Sequence, residues 1–234
     1  DEVCTLAAER TAELLVEAVA SRGSGHLALT GGSAGIALAR SLPATFAAAG
    51  ISGSLLENVH LWFGDERFVA AGDPDRNDLL VAGLVDAGLP DANVHRVRGP
   101  ELVAGVDAAA AHLAEELSAT GPAEGRFDVV HLGVGPDAHV CSLFPGHPAA
   151  LLTGGDVVAV HSSPKPPPER VSLTFEAMER AREVWFIVAG ADKAAAVRDG
   201  VEGAPAELSS AAQVRGTHRT VWFLDEPAAS LLSR

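Results

Sequence analysis

The chain has 234 residues, of which 17 are Lys or Arg and 31 are Asp or Glu, giving a formal net charge of −14. With 47% apolar residues, a chain of this length can bury a large core without metals or disulfides. The acidic excess argues against a nucleic-acid-binding surface and against attachment to anionic membranes. If the substrate is an anion, the few basic residues must therefore be concentrated at its site.

The two cysteines, Cys4 and Cys141, have no metal-binding or CxxC spacing. We expect free thiols in a reducing compartment, which predicts a cytoplasmic protein. The sequence contains neither an uncharged apolar stretch long enough to span a bilayer nor a signal segment. Because the chain begins at Asp1 rather than Met, we expect native N-terminal residues to be missing.

Strand and helix patterns alternate along the chain. In chain order we predict a helix at 3–21, a strand at 26–30, a helix at 34–50, a strand at 59–63, a helix ending near 87, a strand at 94–97, a helix at 102–119, strands at 127–132, 157–160 and 171–173, a helix at 174–181, a strand at 184–188, a helix at 192–201, a strand at 220–224 and a helical turn at 228–232. The alternation predicts an α/β fold with a mostly parallel sheet and helices on both faces. No linker divides the chain, so we predict one domain over residues 1–234.

Ligands of open α/β sheets bind beyond the carboxyl ends of the strands, and the first candidate segment there is Thr30-Gly31-Gly32-Ser33. Glycines allow close backbone approach, and the N–H groups of a helix N-terminus favour an anion. Gly32 and Ser33 are therefore candidate phosphate ligands. The alternative is an ordinary strand-to-helix turn with Ser33 as the N-cap. No GxGxxG or P-loop pattern follows, which disfavours a dinucleotide or nucleotide site.

Three charged residues, Asp65, Glu66 and Arg67, follow the strand at 59–63 directly. Arg67 offers planar donors that suit phosphate oxygens, although a surface ion-pair cluster would explain the same residues. Lys193, at the start of a predicted helix, is a second candidate phosphate ligand, although it also fits a solvated helix start. Arg170, after the proline run at 164–168, is a weaker candidate.

The most informative segment, 132–146, follows a strongly apolar strand. His139 can act as a base and then as an acid near neutral pH. Asp137 lies two residues earlier and could orient the imidazole, while Gly133 and Gly135 leave room for a substrate. The alternative is a structural histidine in a loop. The sequence has no HExxH or zinc-ligand pattern, which disfavours a metalloenzyme.

Taken in order and spacing, these segments make the chain resemble the 6-phosphogluconolactonase family. The matching segments are LTGGS at 29–33, WFGDERFV at 62–69, RN at 76–77, LGVGPDAH at 132–139, SLFP at 142–145, PERVSLT at 168–174, GADK at 190–193 and APA at 204–206. The resemblance implies a modified Rossmann-like fold shared with glucosamine-6-phosphate deaminases and ribose-5-phosphate isomerases. It also implies hydrolysis of 6-phospho-D-glucono-1,5-lactone. The family's histidine, arginine and lysine fall on His139, Arg67 and Lys193.

The chain departs from the family pattern around the histidine and after Ser33. Ala138, Val140 and Cys141 stand where the family usually has Gly, Thr and Ala. Ala34 and Gly35 replace the usual Thr-Pro. If position 138 needs a positive φ, its Cβ costs about 1 kcal/mol. None of these changes removes a charged group.

The expected mechanism uses His139 as the acid–base group, oriented by Asp137, with Arg67, Lys193 and the 32–33 amides on the phosphate. We expect Asp65 and Arg170 to contribute to substrate binding. No metal or cofactor is required, the partner is a small phosphosugar lactone, and a monomer or weak homodimer is expected.

Two alternatives remain open. A sugar-phosphate isomerase or deaminase on the same scaffold would need a carboxylate, for which Asp65 is placed. A phosphosugar sensor would keep the cations but would need no histidine.

Overall fold

The computed structural model describes residues 2–233. The helices are α1 Glu2–Arg22, α2 Gly32–Ala48, α3 Ala82–Asp86, α4 Val106–Thr120, α5 Phe175–Glu179 and α6 Ala194–Glu202. The strands are β1 Gly25–Leu29, β2 Val59–Phe63, β3 Asp65–Arg67, β4 Val129–Leu132, β5 Val157–Val160, β6 Arg170–Leu173, β7 Glu183–Val188 and β8 Arg219–Leu224. Within residues 2–233, no helix has the length and apolar character that crossing a membrane would require.

Five strands form a parallel sheet in the order β2-β1-β4-β7-β8. Its strands are apolar on both sides, as parallel strands covered by helices must be. In β1, Leu27 and Leu29 join the core that includes α1 and α2, whereas Ala28 between them joins the core that includes α4. The predicted α/β fold with helices on both faces is thereby confirmed.

The three remaining strands form a separate antiparallel sheet in the order β3-β6-β5. The sequence pattern located β5 and β6 but did not separate them from the parallel sheet. Residues 161–169 join β5 to β6 without a helix, and such a short connection suits antiparallel pairing rather than a parallel crossover. Gly64 alone lies between β2 and β3; its N–H donates to Leu29 O at 2.8 Å, and its carbonyl accepts from Leu173 N at 2.8 Å.

Two further predicted elements are wrong. The predicted strand at 94–97 reduces to a single parallel bridge between Val94 and Leu61, because the segment then leaves the sheet and His95 Nδ1 donates to Glu116 Oε1 of α4 at 2.8 Å. The predicted helical turn at 228–232 is not a continuous helix, because the bond from Ala229 N to Asp225 O at 3.0 Å is followed by three-residue turns such as Leu232 N to Ala229 O at 3.0 Å.

The order of the parallel sheet places a switch point between β1 and β4. From β1 the chain moves to β2 on one side, and it later returns to β4 on the other. The loops after β1 and β4 therefore leave the sheet in different directions, which opens a crevice at their carboxyl ends. The N–H of Gly133 donates to Thr30 Oγ1 at 3.0 Å and ties the two loops together.

The fold also buries a histidine that lies outside this crevice. His131 on β4 is fully buried and its Nε2 lies 3.0 Å from Thr11 Oγ1 of α1. Burial lowers its pKa from 6.5 to about 3. Because the unfolded chain then binds a proton that the folded protein rejects, stability is lost as pH falls from 6.5 towards 3. We expect His131 to contribute about 1.4 kcal/mol of lost stability per pH unit in this window.

The substitution His131→Gln tests this expectation. Glutamine keeps a polar group for Thr11 but does not titrate. Urea unfolding of the variant between pH 6 and pH 4 should show a shallower fall in stability than the parent, by about 1.4 kcal/mol per pH unit. An identical pH slope in both proteins would show that His131 does not contribute to acid lability.

Candidate active site

A cavity of about 290 Å³ lies at the switch point, between the loops after β1 and β4 and the antiparallel sheet. Eight site residues were predicted from the sequence. Seven of them line this cavity: Gly32, Ser33, Asp65, Arg67, His139, Arg170 and Lys193. The eighth, Asp137, is not part of the lining but contacts His139 directly. The structure therefore brings together residues that lie up to 161 positions apart in the chain.

His139 and Asp137 form a hydrogen-bonded pair. The His139 Nδ1 to Asp137 Oδ1 distance is 2.5 Å, and a carboxylate can only accept at that distance, so Nδ1 carries the proton. Nε2 is then the proton-accepting ring nitrogen, and within residues 2–233 no protein group bonds to it. Burial alone would raise the pKa of Asp137, but the hydrogen bond and charge of His139 and the charge of Lys165 hold it well below its usual range.

The backbone of a tight loop sets the position of this pair. Gly135 N donates to His139 O at 3.0 Å, and Ala138 N donates to Gly135 O at 2.9 Å. Ala138 has a φ of +59°, so the expected strain of a Cβ in the left-handed region is present. A Cβ on Gly135 would lie 2.0 Å from His139 Nδ1 and 2.4 Å from Asp137 Oδ1. Glycine is therefore required at position 135 for the imidazole to lie against the loop.

The N-terminus of α2 forms another part of the cavity wall. Its N-cap is Gly31, without a side-chain hydrogen bond, so Ser33 is not the cap. Ser33 is exposed within the first turn instead, and Gly32 adopts a φ of +73°. The first-turn N–H groups are thus left uncapped by a side chain beside the cavity, where they favour an anion.

Arg67 is held at the cavity by a buried carboxylate that the sequence reasoning did not single out. Glu66 is fully buried and accepts from the N–H groups of Arg67 at 2.8 Å, Asn77 at 2.7 Å and Asp78 at 2.9 Å. Burial raises the pKa of Glu66 to about 7, against the opposing effect of these backbone bonds and of Arg76. Glu66 therefore joins β3 to the turn after it.

Asn77 completes the support of Arg67. Its side-chain oxygen accepts from Arg67 Nη1, and its side-chain nitrogen donates to Asp65 O at 2.8 Å. Arg67 Nη1 also donates to Asp75 O at 3.2 Å. The guanidinium is consequently fixed on one side and presents its other donors to the cavity that it lines.

Asp65 and Arg170 belong to one buried polar cluster with Ser142. Ser142 Oγ donates to Asp65 Oδ2 at 2.6 Å, and Arg170 Nη1 lies 3.7 Å from the same oxygen. Arg170 also donates to the carbonyls of Lys165 at 3.1 Å and Pro166 at 2.9 Å. Both side chains reach the cavity, but most of their polar contacts are with the protein. Arg170 thus holds the proline-rich segment in place as well as lining the site.

Two lysines line the cavity. Lys193 is the N-cap residue of α6, and its Nζ lies 3.6 Å from Asp192 Oδ2. Lys165 was not predicted as a site residue; its Nζ lies 3.2 Å from Asp137 Oδ1 and 3.3 Å from His139 Nδ1. The signal that could have found it is composition, because these two residues are the only lysines in the sequence.

The site combines a histidine–carboxylate pair with guanidinium, ammonium and backbone N–H donors around one cavity. A neutral imidazole with a free Nε2 can accept a proton from water and return it to a leaving group. The cations and the α2 amides suit a phosphoryl group. This arrangement fits the hydrolysis of an anionic, phosphorylated substrate.

Comparison with known proteins agrees with this chemistry. The family model described as glucosamine-6-phosphate isomerases/6-phosphogluconolactonase matches residues 1–222. A 6-phosphogluconolactonase of Streptomyces coelicolor is 46% identical and covers 97% of this chain and 90% of its own. One from Mycobacterium tuberculosis is 42% identical, with 99% and 95% covered.

A solved structure gives the same result at the level of the fold. The 6-phosphogluconolactonase of Trypanosoma brucei superposes with a TM-score of 0.83 at 26% identity, covering 99% of this chain and 95% of that one. The family match extends over nearly the whole chain. The two relatives named above are 46% and 42% identical to it over nearly its full length. The chain therefore belongs to the glucosamine-6-phosphate isomerase/6-phosphogluconolactonase family.

Proposed function

We propose that this protein is a 6-phosphogluconolactonase, which hydrolyses 6-phospho-D-glucono-1,5-lactone to 6-phospho-D-gluconate in the second step of the oxidative pentose phosphate pathway. The observation that carries the proposal is the 2.5 Å bond between His139 Nδ1 and Asp137, which leaves Nε2 as a base in a cavity with three cationic side chains on its wall besides Lys165. The relatives that match the chain over most of its length carry this name.

The proposed reaction begins when Nε2 of His139 takes a proton from a water molecule as its oxygen attacks C1 of the lactone. The C1 carbonyl becomes a tetrahedral oxyanion. This intermediate collapses as the bond from C1 to the ring oxygen breaks, and the imidazolium returns its proton to that oxygen. The products are the C5 hydroxyl and a carboxylic acid, which releases a proton to solvent.

A direct test follows the acid that is released. Fresh lactone in weak buffer with a pH indicator should acidify much faster with the protein than in an enzyme-free control, because the lactone opens slowly by itself. Acidification at the rate of the control would contradict the proposed activity.

Arg67 is expected to recognise the phosphoryl group. Hydrogen bonds to charged groups contribute about 1.5–3 kcal/mol. The substitution Arg67→Ala should therefore lower kcat/KM for the phosphorylated lactone by about 10- to 100-fold, mostly through KM. Initial-rate kinetics with unphosphorylated glucono-1,5-lactone supply the control, since its slow hydrolysis should be nearly unchanged. An equal loss on both lactones would show that Arg67 acts on the ring or on the fold rather than on the phosphate.

The alternative function is a sugar-phosphate isomerase or deaminase, which would need Asp65 as a proton-transferring carboxylate. The structure offers Asp65 little freedom for that role. It is 7% exposed, its Oδ2 accepts from Ser142, and its Oδ1 lies 3.4 Å from Asn77 Nδ2. The lactonase is therefore favoured, and ammonia release from glucosamine 6-phosphate would reveal the alternative.

Three further expectations accompany the proposed function. The cavity is built from both sheets, which supports one domain over residues 1–234. The free, buried thiols of Cys4 and Cys141 support a cytoplasmic location. Sedimentation of the purified protein would test the expected monomer or weak homodimer.

A further inference from the structure

We infer that Lys165 is a positioning residue for the His139–Asp137 pair, and that its cation sets the pH below which the lactonase loses activity. The inference rests on the proposed function, because it assigns a role at the same site. Lys165 acts through the pair rather than on the substrate, which distinguishes it from Arg67 and Lys193.

The amino-acid composition of the chain sets Lys165 apart from the other basic residues. Of 17 basic residues only two are lysines, and both line the cavity. Arginine is a planar fork that spreads its charge over several donors, whereas lysine is a compact point charge on a flexible stem. The chain thus uses the compact cation only beside this cavity.

The contacts of Lys165 are with the catalytic pair. Its Nζ lies 3.2 Å from Asp137 Oδ1, the same oxygen that accepts from His139 Nδ1. The Nζ to Nδ1 distance is 3.3 Å, but both atoms are donors when Nδ1 carries the proton. Lys165 therefore bonds to the carboxylate and only adds its charge to the ring. The Nζ also lies 5.9 Å above the ring centroid of Phe144, which packs 4.4 Å from the imidazole.

The backbone that carries Lys165 is firmly held. Its carbonyl and that of Pro166 accept from Arg170, which is 4% exposed. The Lys165 N–H donates to Ser163 Oγ at 3.3 Å, and Ser163 N donates to Pro168 O at 2.8 Å. The ammonium group therefore extends from a fixed segment rather than from a free loop.

A cation at this point opposes the effect of the carboxylate. The Asp137 carboxylate alone would favour a positive charge on the imidazole. The Lys165 ammonium disfavours a second positive charge 3.3 Å away and partly neutralises Asp137. The pair consequently stays oriented by its hydrogen bond while the ring remains a proton acceptor.

Other charged groups near the ring are engaged elsewhere. His147 lies behind Phe144, with ring centroids 6.3 Å apart, and its Nε2 bonds to His161 O. The remaining charged residues on the cavity wall are paired with protein groups, as described above: Asp65 with Arg170, Arg67 with Asn77, and Lys193 with Asp192. Among the described residues, Asp137 and Lys165 are thus the charges placed in direct contact with the imidazole.

The test compares the pH dependence of kcat/KM in the parent protein, Lys165→Met and Lys193→Met. Lys165 is 41% exposed, so methionine should not disturb folding. In Lys165→Met the acidic limb should move to higher pH by about one unit. Lys193→Met should raise KM and leave the limb in place. A pH-independent rise in KM, or a pH-independent fall in kcat, for Lys165→Met would overturn the inference.

Chemical rescue separates charge from packing. In Lys165→Cys, alkylation with 2-bromoethylamine makes a lysine-like side chain. Cys4 is buried, and the parent protein treated in parallel controls for Cys141, which lines the cavity. The acidic limb should return to the parent position after this treatment but not after iodoacetamide, which adds a neutral group. Equal limbs after the two reagents would overturn the inference.

A measurement independent of activity distinguishes this inference from the proposed function. The NMR titration of the His139 ring, assigned by its absence in His139→Gln, should move upward in Lys165→Met whether or not the lactone is the substrate. An unmoved titration would refute the role of Lys165 even in an active lactonase. A parent protein inactive on the lactone would instead refute the proposed function.

Discussion

Replacing His139 with alanine is expected to lower kcat/KM for 6-phosphogluconolactone by about 10²–10⁴-fold, the usual worth of positioned acid–base catalysis. The variant loses the proton acceptor for the attacking water and the proton donor for the ring oxygen. Its KM should change little, because the phosphate ligands remain. Stopped-flow detection of proton release from fresh lactone measures both constants against the spontaneous rate.

The matched control is His218→Gln. His218 is exposed at the amino end of β8, at the opposite end of the parallel sheet from the cavity. This variant should keep the parent activity and the parent melting temperature. Full activity in His139→Ala would remove the assigned base, whereas equal losses in both variants would indicate a defect in folding or in the assay.

The substitution Gly135→Ala should abolish most of the activity without touching a functional group. Its added Cβ would overlap the imidazole, at 2.0 Å from Nδ1 and 2.1 Å from Cε1 of His139. The ring must therefore move, and displacements of about 1 Å can cost about 10²-fold in rate. Steady-state kinetics should show the loss in kcat, with phosphate affinity preserved in binding measurements with 6-phosphogluconate.

Gly155→Ala is the control for that substitution. Gly155 precedes β5, and a Cβ there would have no heavy atom within 4 Å. We expect parent-like activity and a change in stability of less than about 1 kcal/mol. If Gly135→Ala also kept parent-like turnover, the His139–Asp137 geometry would not be the one that acts on the lactone.

The sequence predicted the parallel sheet and its loops because those signals are local. The long parallel strands are mostly apolar and are followed by glycine, as at 59–64 and 129–133. Since the carboxyl ends of parallel strands lie at one edge of the sheet, the sequence alone predicts that residues following separate strands lie close together. That reasoning brought Arg67, His139 and Lys193 to one cavity.

The second sheet was not predictable by the same reasoning. β5 and β6 are four residues each, and so short a run of apolar residues indicates a strand but not its partner or direction. β3 is shorter still, and all of its residues are charged. It could not be predicted from its own sequence, because its burial depends on partners such as Asn77 that lie further along the chain.

The contribution of Lys165 was equally hidden. It lies 26 residues from His139 in sequence, inside a proline-rich segment whose path depends on Arg170. Hydrophobic patterns and residue spacing predict which residues are neighbours within one helix or strand. The contact of Lys165 with His139 depends instead on the buried Arg170, which holds the proline-rich segment against the site. The rarity of lysine in this sequence was the one available signal. It indicates that Lys165 is a candidate functional residue, but it does not indicate which residues Lys165 contacts.

The one-residue passage at Gly64 has a consequence for how substrate enters. Its N–H is bonded to the end of β1 and its carbonyl to β6, so it fastens both sheets at their junction. A Cβ there would lie 2.7 Å from Cys141 Sγ, so the loop after β4 packs closely against the junction. We therefore expect the lactone to bind by diffusion and local charge to a site that is already formed, without closure of one sheet onto the other.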